Sequence, residues 1–98
     1  MAKGYWVVTY RAIHNPEAFQ RYAGLAPAAV QANGGRFLVR GMTAKAYEAG
    51  MMQRVVVIEF DSLAQALATH DTPQYQAALR ELAGNAVERD LRIVEGLS

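Results

Sequence analysis

Residues 54–60, Arg-Val-Val-Val-Ile-Glu-Phe, give the strongest secondary-structure signal in the chain. This run of β-branched and aromatic residues is typical of a β-strand, in which successive side chains point to opposite faces of the sheet. One set is wholly apolar and is expected to face a layer of helices: Val56, Ile58 and Phe60. The other set is expected to lie on the opposite side of the sheet, which we call the open face: Val55, Val57 and Glu59.

Outward from this strand, the same residue types predict strands at 5–13, 36–40 and 91–95. Helix starts are indicated where a capping residue precedes proline, at Asn15-Pro16 and Thr72-Pro73. A third start is indicated at Asp61 or Ser62, and Ser62 forms a capping box with Gln65.

Several turn and breaker residues set the limits of these elements. Pro27 is expected to kink or break the first helix, and Gly34-Gly35 to end it. Gly41 is expected to stop the second strand. Residues 42–53 fit either a hairpin arm or an ordered loop.

The element order β-α-β-β-α-α-β predicts an α+β protein with the ferredoxin-like arrangement βαββαβ. Its sheet is expected to be antiparallel, with the helices on one face. The 98 residues predict one domain spanning positions 1–98.

The open face is too apolar to lie in water, since it is expected to carry one contiguous patch of the kind that marks an interface. The patch consists of Tyr5, Val7, Leu38, Val55, Val57 and Val94. The pattern favours a homodimer whose two sheets pack face to face. The alternative is a monomer with scattered exposed valines.

The composition excludes several function classes. The formal net charge of +1 argues against nucleic-acid or membrane-surface partners, and no apolar run approaches the ~20 residues of a membrane span. The chain has no cysteine, which excludes thiolate chemistry, and its two histidines make a zinc site improbable. Without a signal-peptide core, a cytoplasmic protein with neither metal nor cofactor is expected.

Charged residues on the open face suggest a ligand site. By alternation this face carries four arginines against the single carboxylate of Glu59: Arg11, Arg36, Arg40 and Arg92. One interpretation is that these arginines are solvated at strand ends. The other is a sheltered cavity in which Arg40 or Arg11 pairs with Glu59 and the remaining charge binds a small organic anion such as a carboxylate.

His70 is the best candidate for a catalytic group, because an imidazole near neutrality can act as a base or a ligand. The alternative is a histidine that caps or packs at a helix turn. Tyr75 could reach a pocket between helix and sheet, although such tyrosines are more often core residues. Together these arguments place an anion near Arg40, Glu59 and His70.

Five segments in order resemble one known family, and together they cover essentially the whole chain: 4–6, 33–41, 54–63, 72–76 and 93–96. They look like the DUF1330 family of small bacterial proteins, a domain of unknown function in the dimeric α+β barrel group. The resemblance implies a ferredoxin-like protomer and a sheet-to-sheet dimer, and it supplies no established activity. His70 and Thr72 depart from the family pattern, which often has an aromatic residue and a serine there.

Two hypotheses of function therefore stand. The first is an enzyme or binding protein that uses a cavity between sheet and helices, with five candidate ligand-binding residues: Arg11, Arg40, Glu59, His70 and Tyr75. The second is a non-catalytic dimeric structural or regulatory module. A pocket with convergent polar groups favours the first, and a closed Arg40–Glu59 ion pair favours the second.

Overall fold

A computed structural model describes residues 2–97 and shows four strands with three helices on one side. The strands are Gly4–Ile13 (β1), Arg36–Met42 (β2), Arg54–Phe60 (β3) and Val87–Glu95 (β4). The helices are Pro16–Ala32 (α1), Leu63–His70 (α2) and Pro73–Leu79 (α3), and a 3₁₀ turn, Arg80–Leu82, follows α3. The sheet is antiparallel with the strand order β2-β3-β1-β4, which confirms the predicted ferredoxin-like α+β fold.

The predicted helix starts are confirmed by their caps. The side chains of Asn15, Ser62 and Thr72 each accept a hydrogen bond from the backbone N–H three residues ahead. The capping box at Ser62 is only half formed, because the Gln65 side chain donates to the Asn33 carbonyl at 2.6 Å instead. That bond ties the start of α2 to the end of α1.

Three boundaries differ from the sequence prediction. Helix α1 continues through Pro27 without a break, and β2 runs past Gly41 to Met42. Strand β4 begins at Val87, because the charged residues 88–90 alternate in a strand rather than forming a loop. Residues 43–53 form a loop whose base is closed by a 2.9 Å hydrogen bond from the Thr43 N–H to the Gln53 carbonyl.

The core lies between the helices and one face of the sheet, as the alternation in β3 predicts. Its most deeply buried large side chains are Trp6, Val30, Phe60 and Tyr75. Trp6 is fixed by a 2.8 Å hydrogen bond from its indole N–H to the Ala66 carbonyl. Burying these residues supplies most of the driving force for folding, at about 25 cal/mol per Å² of apolar surface removed from water.

One face assignment is wrong, because β2 contains a β-bulge at Leu38. Phe37 lies opposite Ile58, but Val39 lies opposite Val57 and Arg40 opposite Val56. The extra residue shifts the alternation by one position. Arg40, which the sequence pattern placed on the open face, therefore lies on the helix side.

The described part of the chain contains no helix that is both long enough and apolar enough to span a bilayer.

Candidate functional site

The main cavity, which we call the α1 pocket, lies between α1 and the helix side of the sheet. Its volume of about 320 Å³ is at the small end of the range of ~300–1,000 Å³ that ligand pockets usually have. Five aromatic rings line it: Trp6, Tyr10, Phe19, Tyr22 and Phe37. Three arginines also line it: Arg40, Arg54 and Arg89. Among the described residues that line the pocket, none is acidic and none is histidine.

The small side chains of α1 explain why the pocket is open. Ala23, Ala26 and Pro27 lie on the stripe of α1 that lines it, where longer side chains would fill the gap. Bulky residues lie at its two ends, with Phe19 at the start of the stripe and Val30 near the end of the helix. The helix therefore stands over the sheet and leaves a slot between them.

Arg89 enters the pocket from β4 and is held by three tyrosines. Its guanidinium donates hydrogen bonds to the hydroxyl oxygens of Tyr10 at 3.2 Å, Tyr22 at 3.1 Å and Tyr75 at 3.2 Å. The hydroxyls of Tyr22 and Tyr75 also share a hydrogen bond of 2.6 Å. The guanidinium group lies 5.0 Å from the centre of the Tyr22 ring. These contacts fix both the position and the plane of the charged group.

The environment of Arg89 favours neutral Tyr10 and Tyr22 and a charged guanidinium. Burial raises the pKa of Tyr22 well above its ordinary value, and the nearby Tyr75 adds to the rise. Burial also raises the pKa of Tyr10. Burial alone would lower the pKa of Arg89, but the surrounding tyrosines, Tyr22 first, more than offset it, so this pKa lies above its ordinary value.

The three arginines give the pocket an unbalanced positive charge. Arg40 lies over the Phe37 ring at 4.8 Å, and Arg54 over the Phe19 ring at 5.2 Å. Within residues 2–97, none of the ion pairs involves Arg40, Arg54 or Arg89. The arrangement can therefore bind and stabilise negative charge beside apolar surface.

The open face, by contrast, is balanced by its own carboxylates. Glu59 accepts hydrogen bonds from Tyr5 at 3.0 Å and from Arg36 at 3.0 Å, and Arg36 also pairs with Asp61 at 3.0 Å. The Tyr5 hydrogen bond, followed by that of Arg36, lowers the pKa of Glu59. The expected pairing of Glu59 with Arg40 or Arg11 is wrong, because Arg36 lies directly opposite Glu59 in the sheet.

Arg92 is likewise paired on the open face, since it lies 3.0 Å from a carboxylate oxygen of Asp90. Arg11 is exposed and lines a depression of about 300 Å³ beside the loop between β2 and β3, together with Lys45 and Tyr47. With Arg40 on the helix side, the predicted excess of arginine on the open face largely disappears.

The five predicted ligand-binding residues do not converge on one cavity. Arg40 lines the α1 pocket, whereas Tyr75 is buried behind it and bonds to Tyr22 and Arg89, which do line it. Glu59 lies on the other side of the sheet. Ligand contacts at Glu59, His70 and Arg11 stay predictions that need sites other than the α1 pocket.

His70 ends α2 and packs against the aromatic core. Its ring centre lies 5.9 Å from that of Trp6 and 5.3 Å from that of Tyr75, and Nδ1 lies 3.3 Å from an Asp71 carboxylate oxygen. The ring does not line the α1 pocket. This geometry matches the packing histidine that the sequence left as the alternative, and a catalytic role stays a prediction.

The sequence analysis missed Arg54 and Arg89. Arg54 lies on the same face of β3 as Val56 and Ile58, which point to the helices. Alternation alone therefore assigns Arg54 to the pocket side. Arg89 lies on the same face of β4 as Leu91. It was missed because the sequence pattern predicted that this strand begins at Leu91. Extending the alternation back to Val87 would have placed a cation on the core side of β4.

Within the described residues, no group of three or more histidine, aspartate or glutamate side chains is arranged to hold a metal ion. The donors of the α1 pocket are guanidinium and hydroxyl groups, which suit anions rather than cations.

Comparison of the sequence with protein families and curated proteins gives one match. The model of a family described as a domain of unknown function, DUF1330, matches residues 3–97. No curated protein matches the sequence.

Solved structures share the fold at low sequence identity. A protein of unknown function from Rhodopseudomonas palustris superimposes with a TM-score of 0.75 at 15% identity, covering 99% of this chain and 84% of the other. A dabb family protein with a ferredoxin-like fold from Mesorhizobium loti gives 0.66 at 16% identity, covering 100% and 98%. A dimeric ferredoxin-like protein of unknown function from Thermobifida fusca gives 0.65 at 17% identity, covering 98% and 92%. These likenesses support the fold alone.

Proposed function

The chain belongs to the DUF1330 family, and we propose that it binds a small organic anion with an apolar body in the α1 pocket. The observation that carries the proposal is Arg89, a cation that points into an aromatic cavity and contacts three hydroxyl groups but no carboxylate of the described residues. A charge taken out of water without a counter-charge costs free energy. A carboxylate ligand would supply that counter-charge.

The chemistry of the pocket supports an organic acid rather than an inorganic ion. Guanidinium groups bind carboxylates through paired hydrogen bonds, and rings at the walls favour an apolar ligand body. The volume of about 320 Å³ fits a small molecule. Arg40 and Arg54 add to the attraction and steer anions towards Arg89.

The function proposed is binding, and no reaction is assigned. The Tyr22 hydroxyl lines the pocket beside Arg89 and can donate a hydrogen bond to an anionic oxygen when Tyr75 is the donor in the bond between the two hydroxyls. The raised pKa of Tyr22 favours the neutral, proton-donating form over a base. Electrostatic stabilisation of a negatively charged oxygen is therefore the chemistry that these groups support best.

The alternative, a structural or regulatory dimer without a ligand, is supported less well. In the sequence analysis, a closed ion pair between Arg40 and Glu59 would have favoured this alternative. That pair does not form, because the two residues lie on opposite faces of the sheet. Glu59 is satisfied by Arg36, whereas Arg40 faces the cavity.

A homodimer is part of the proposal, with the open face of each sheet covering that of the other. Leu38, Val39 and Val94 are exposed on this face, at 53%, 47% and 44%, beside the half-buried Val7 and Val57. The dimeric protein from Thermobifida fusca has the same fold and supports a dimer, while the choice of face rests on the exposed apolar residues of this chain. Because the α1 pocket is on the other side of the sheet, pairing of the open faces leaves it free.

Calorimetric titration with benzoate, a small acid with a flat apolar body, tests the proposal. The variant Arg89→Met keeps the length of the side chain and removes the charge, and we expect roughly a 10- to 100-fold loss of affinity because a hydrogen bond to a charged group contributes ~1.5–3 kcal/mol. Arg92→Met is the matched control, since Arg92 lies on the same strand, is exposed, and faces the other side. Absence of binding to the wild type, or equal affinity in both variants, would disprove the proposal.

A further inference from the structure

The wall of the α1 pocket contains a backbone carbonyl without its usual donor. Pro27 lies inside α1, four residues after Ala23, and both residues line the pocket. In an α-helix the carbonyl of Ala23 would accept from the N–H of residue 27, but proline has no N–H. Residues four apart share a face of a helix, so this carbonyl lies on the side of α1 that faces the pocket.

A proline inside a helix also acts on the position of the carbonyl four residues earlier. Its ring clashes with the carbonyl four residues earlier and pushes it away from the helix axis. A carbonyl that is shielded from water without a donor costs free energy, and native proteins usually provide one. Helix α1 nevertheless continues unbroken to Ala32. A ligand in the pocket would be well placed to supply the missing donor.

The spacing along α1 sets the size of such a ligand. Phe19, on which Arg54 stacks, lies four residues before Ala23, a rise of about 6 Å along the helix. That distance is close to the length of one aromatic ring with its substituents. A ring in this slot would contact Tyr10 and Phe19, which already pack edge to face at 5.6 Å.

We propose that the ligand is a small aromatic carboxylic acid that carries a hydroxyl or amino group, an inference that rests on the proposed anion site. Its carboxylate binds at the arginine end of the pocket. Its hydroxyl or amino group donates a hydrogen bond to the Ala23 carbonyl. The arginines thus select the acid, and Pro27 selects the substituent by leaving an acceptor free.

The test compares 3- and 4-hydroxybenzoate with benzoate and with the corresponding methoxybenzoates, which keep the oxygen but lack the donor. For the wild type we expect the better hydroxybenzoate to bind about fivefold more tightly than benzoate, the effect of one net hydrogen bond. Pro27→Ala restores an N–H at position 27 and should abolish this preference. If that variant does not fold, Pro27→Ser replaces it, since its N–H and hydroxyl both compete for the same carbonyl.

Gly24→Ala is the matched control on the same helix. A Cβ at Gly24 meets no heavy atom within 4 Å, and the change improves helix propensity without affecting the Ala23 carbonyl. The preference for the hydroxybenzoate should therefore persist in this variant. Equal binding of hydroxybenzoate and benzoate to the wild type, or a preference that survives in Pro27→Ala, would overturn this inference and leave the anion site intact. Absence of binding by every acid would overturn the proposed function as well.

Discussion

Replacing Arg89 with methionine is expected to change the free energy of unfolding of the ligand-free protein by less than about 2 kcal/mol in either direction. The substitution removes three hydrogen bonds, but Tyr22 and Tyr75 keep their bond of 2.6 Å to each other. Only the Tyr10 hydroxyl loses its side-chain partner, at a cost of about 1–3 kcal/mol. Removing a half-buried cation that lacks a counter-charge offsets part of this cost, and the methionine retains much of the apolar contact of the arginine stem.

Urea unfolding at fixed protein concentration and without ligand measures this change. The slope of the unfolding free energy against urea concentration reports whether the substitution also alters the unfolded state. Adding Tyr10→Phe to Arg89→Met removes the orphaned hydroxyl and should recover about 1 kcal/mol. Arg80→Met, at an exposed arginine in the turn after α3 and away from the open face, should lie within about 0.5 kcal/mol of the wild type, as exposed substitutions usually do. A loss above about 3 kcal/mol for Arg89→Met would refute the reasoning, because it would make Arg89 a structural clamp for the tyrosines.

Three further outcomes follow from the described contacts. Val57→Asp should give a monomer by light scattering, because it would bury a charge between the sheets; an unchanged dimer would refute the open-face interface. The pKa of Glu59 is lowered, first by Tyr5, so its contribution to stability is present above the ordinary glutamate value and is lost as pH falls through the lowered one. In Glu59→Gln the free energy of unfolding should therefore fall less steeply at acid pH than in the wild type. An equally steep fall in both proteins would contradict this. The pKa values of Tyr5, Tyr10 and Tyr22 are raised, so stability should fall as pH rises above ~10, and an absorbance titration should show these three tyrosines ionising late; their ionisation at the ordinary tyrosine value would contradict it.

The element order predicted the fold, and the alternation of residues 54–60 predicted which face of the sheet packs against the helices. Because side chains alternate strictly along a strand, Val56, Ile58 and Phe60 fixed the core side of the sheet. The capping residues fixed the helix starts for a similarly local reason, since each accepts a bond from an amide three residues ahead.

The site was harder to predict, because it depends on an irregularity and on tertiary contacts. The bulge at Leu38 moved Arg40 to the other face, and the nearby glycine, Gly41, was interpreted as the end of the strand rather than as a sign of an irregular strand. The convergence of Tyr10, Tyr22 and Tyr75 on Arg89 joins residues that are between 14 and 79 positions apart. The expectation of an arginine-rich anion site came from alternation, which assigned it to the open face, and the grouping of Arg40, Arg54 and Arg89 at the α1 pocket required the three-dimensional structure.

The most direct test of the central claim is a crystal structure of the protein with 4-bromobenzoate, whose bromine is located by anomalous scattering. The anion site predicts a bromine peak inside the α1 pocket and the carboxylate within hydrogen-bond distance of the Arg89 guanidinium. At a saturating concentration, an empty pocket would contradict it. A bromine peak only on the open face, beside Arg11 or Glu59, would contradict it equally.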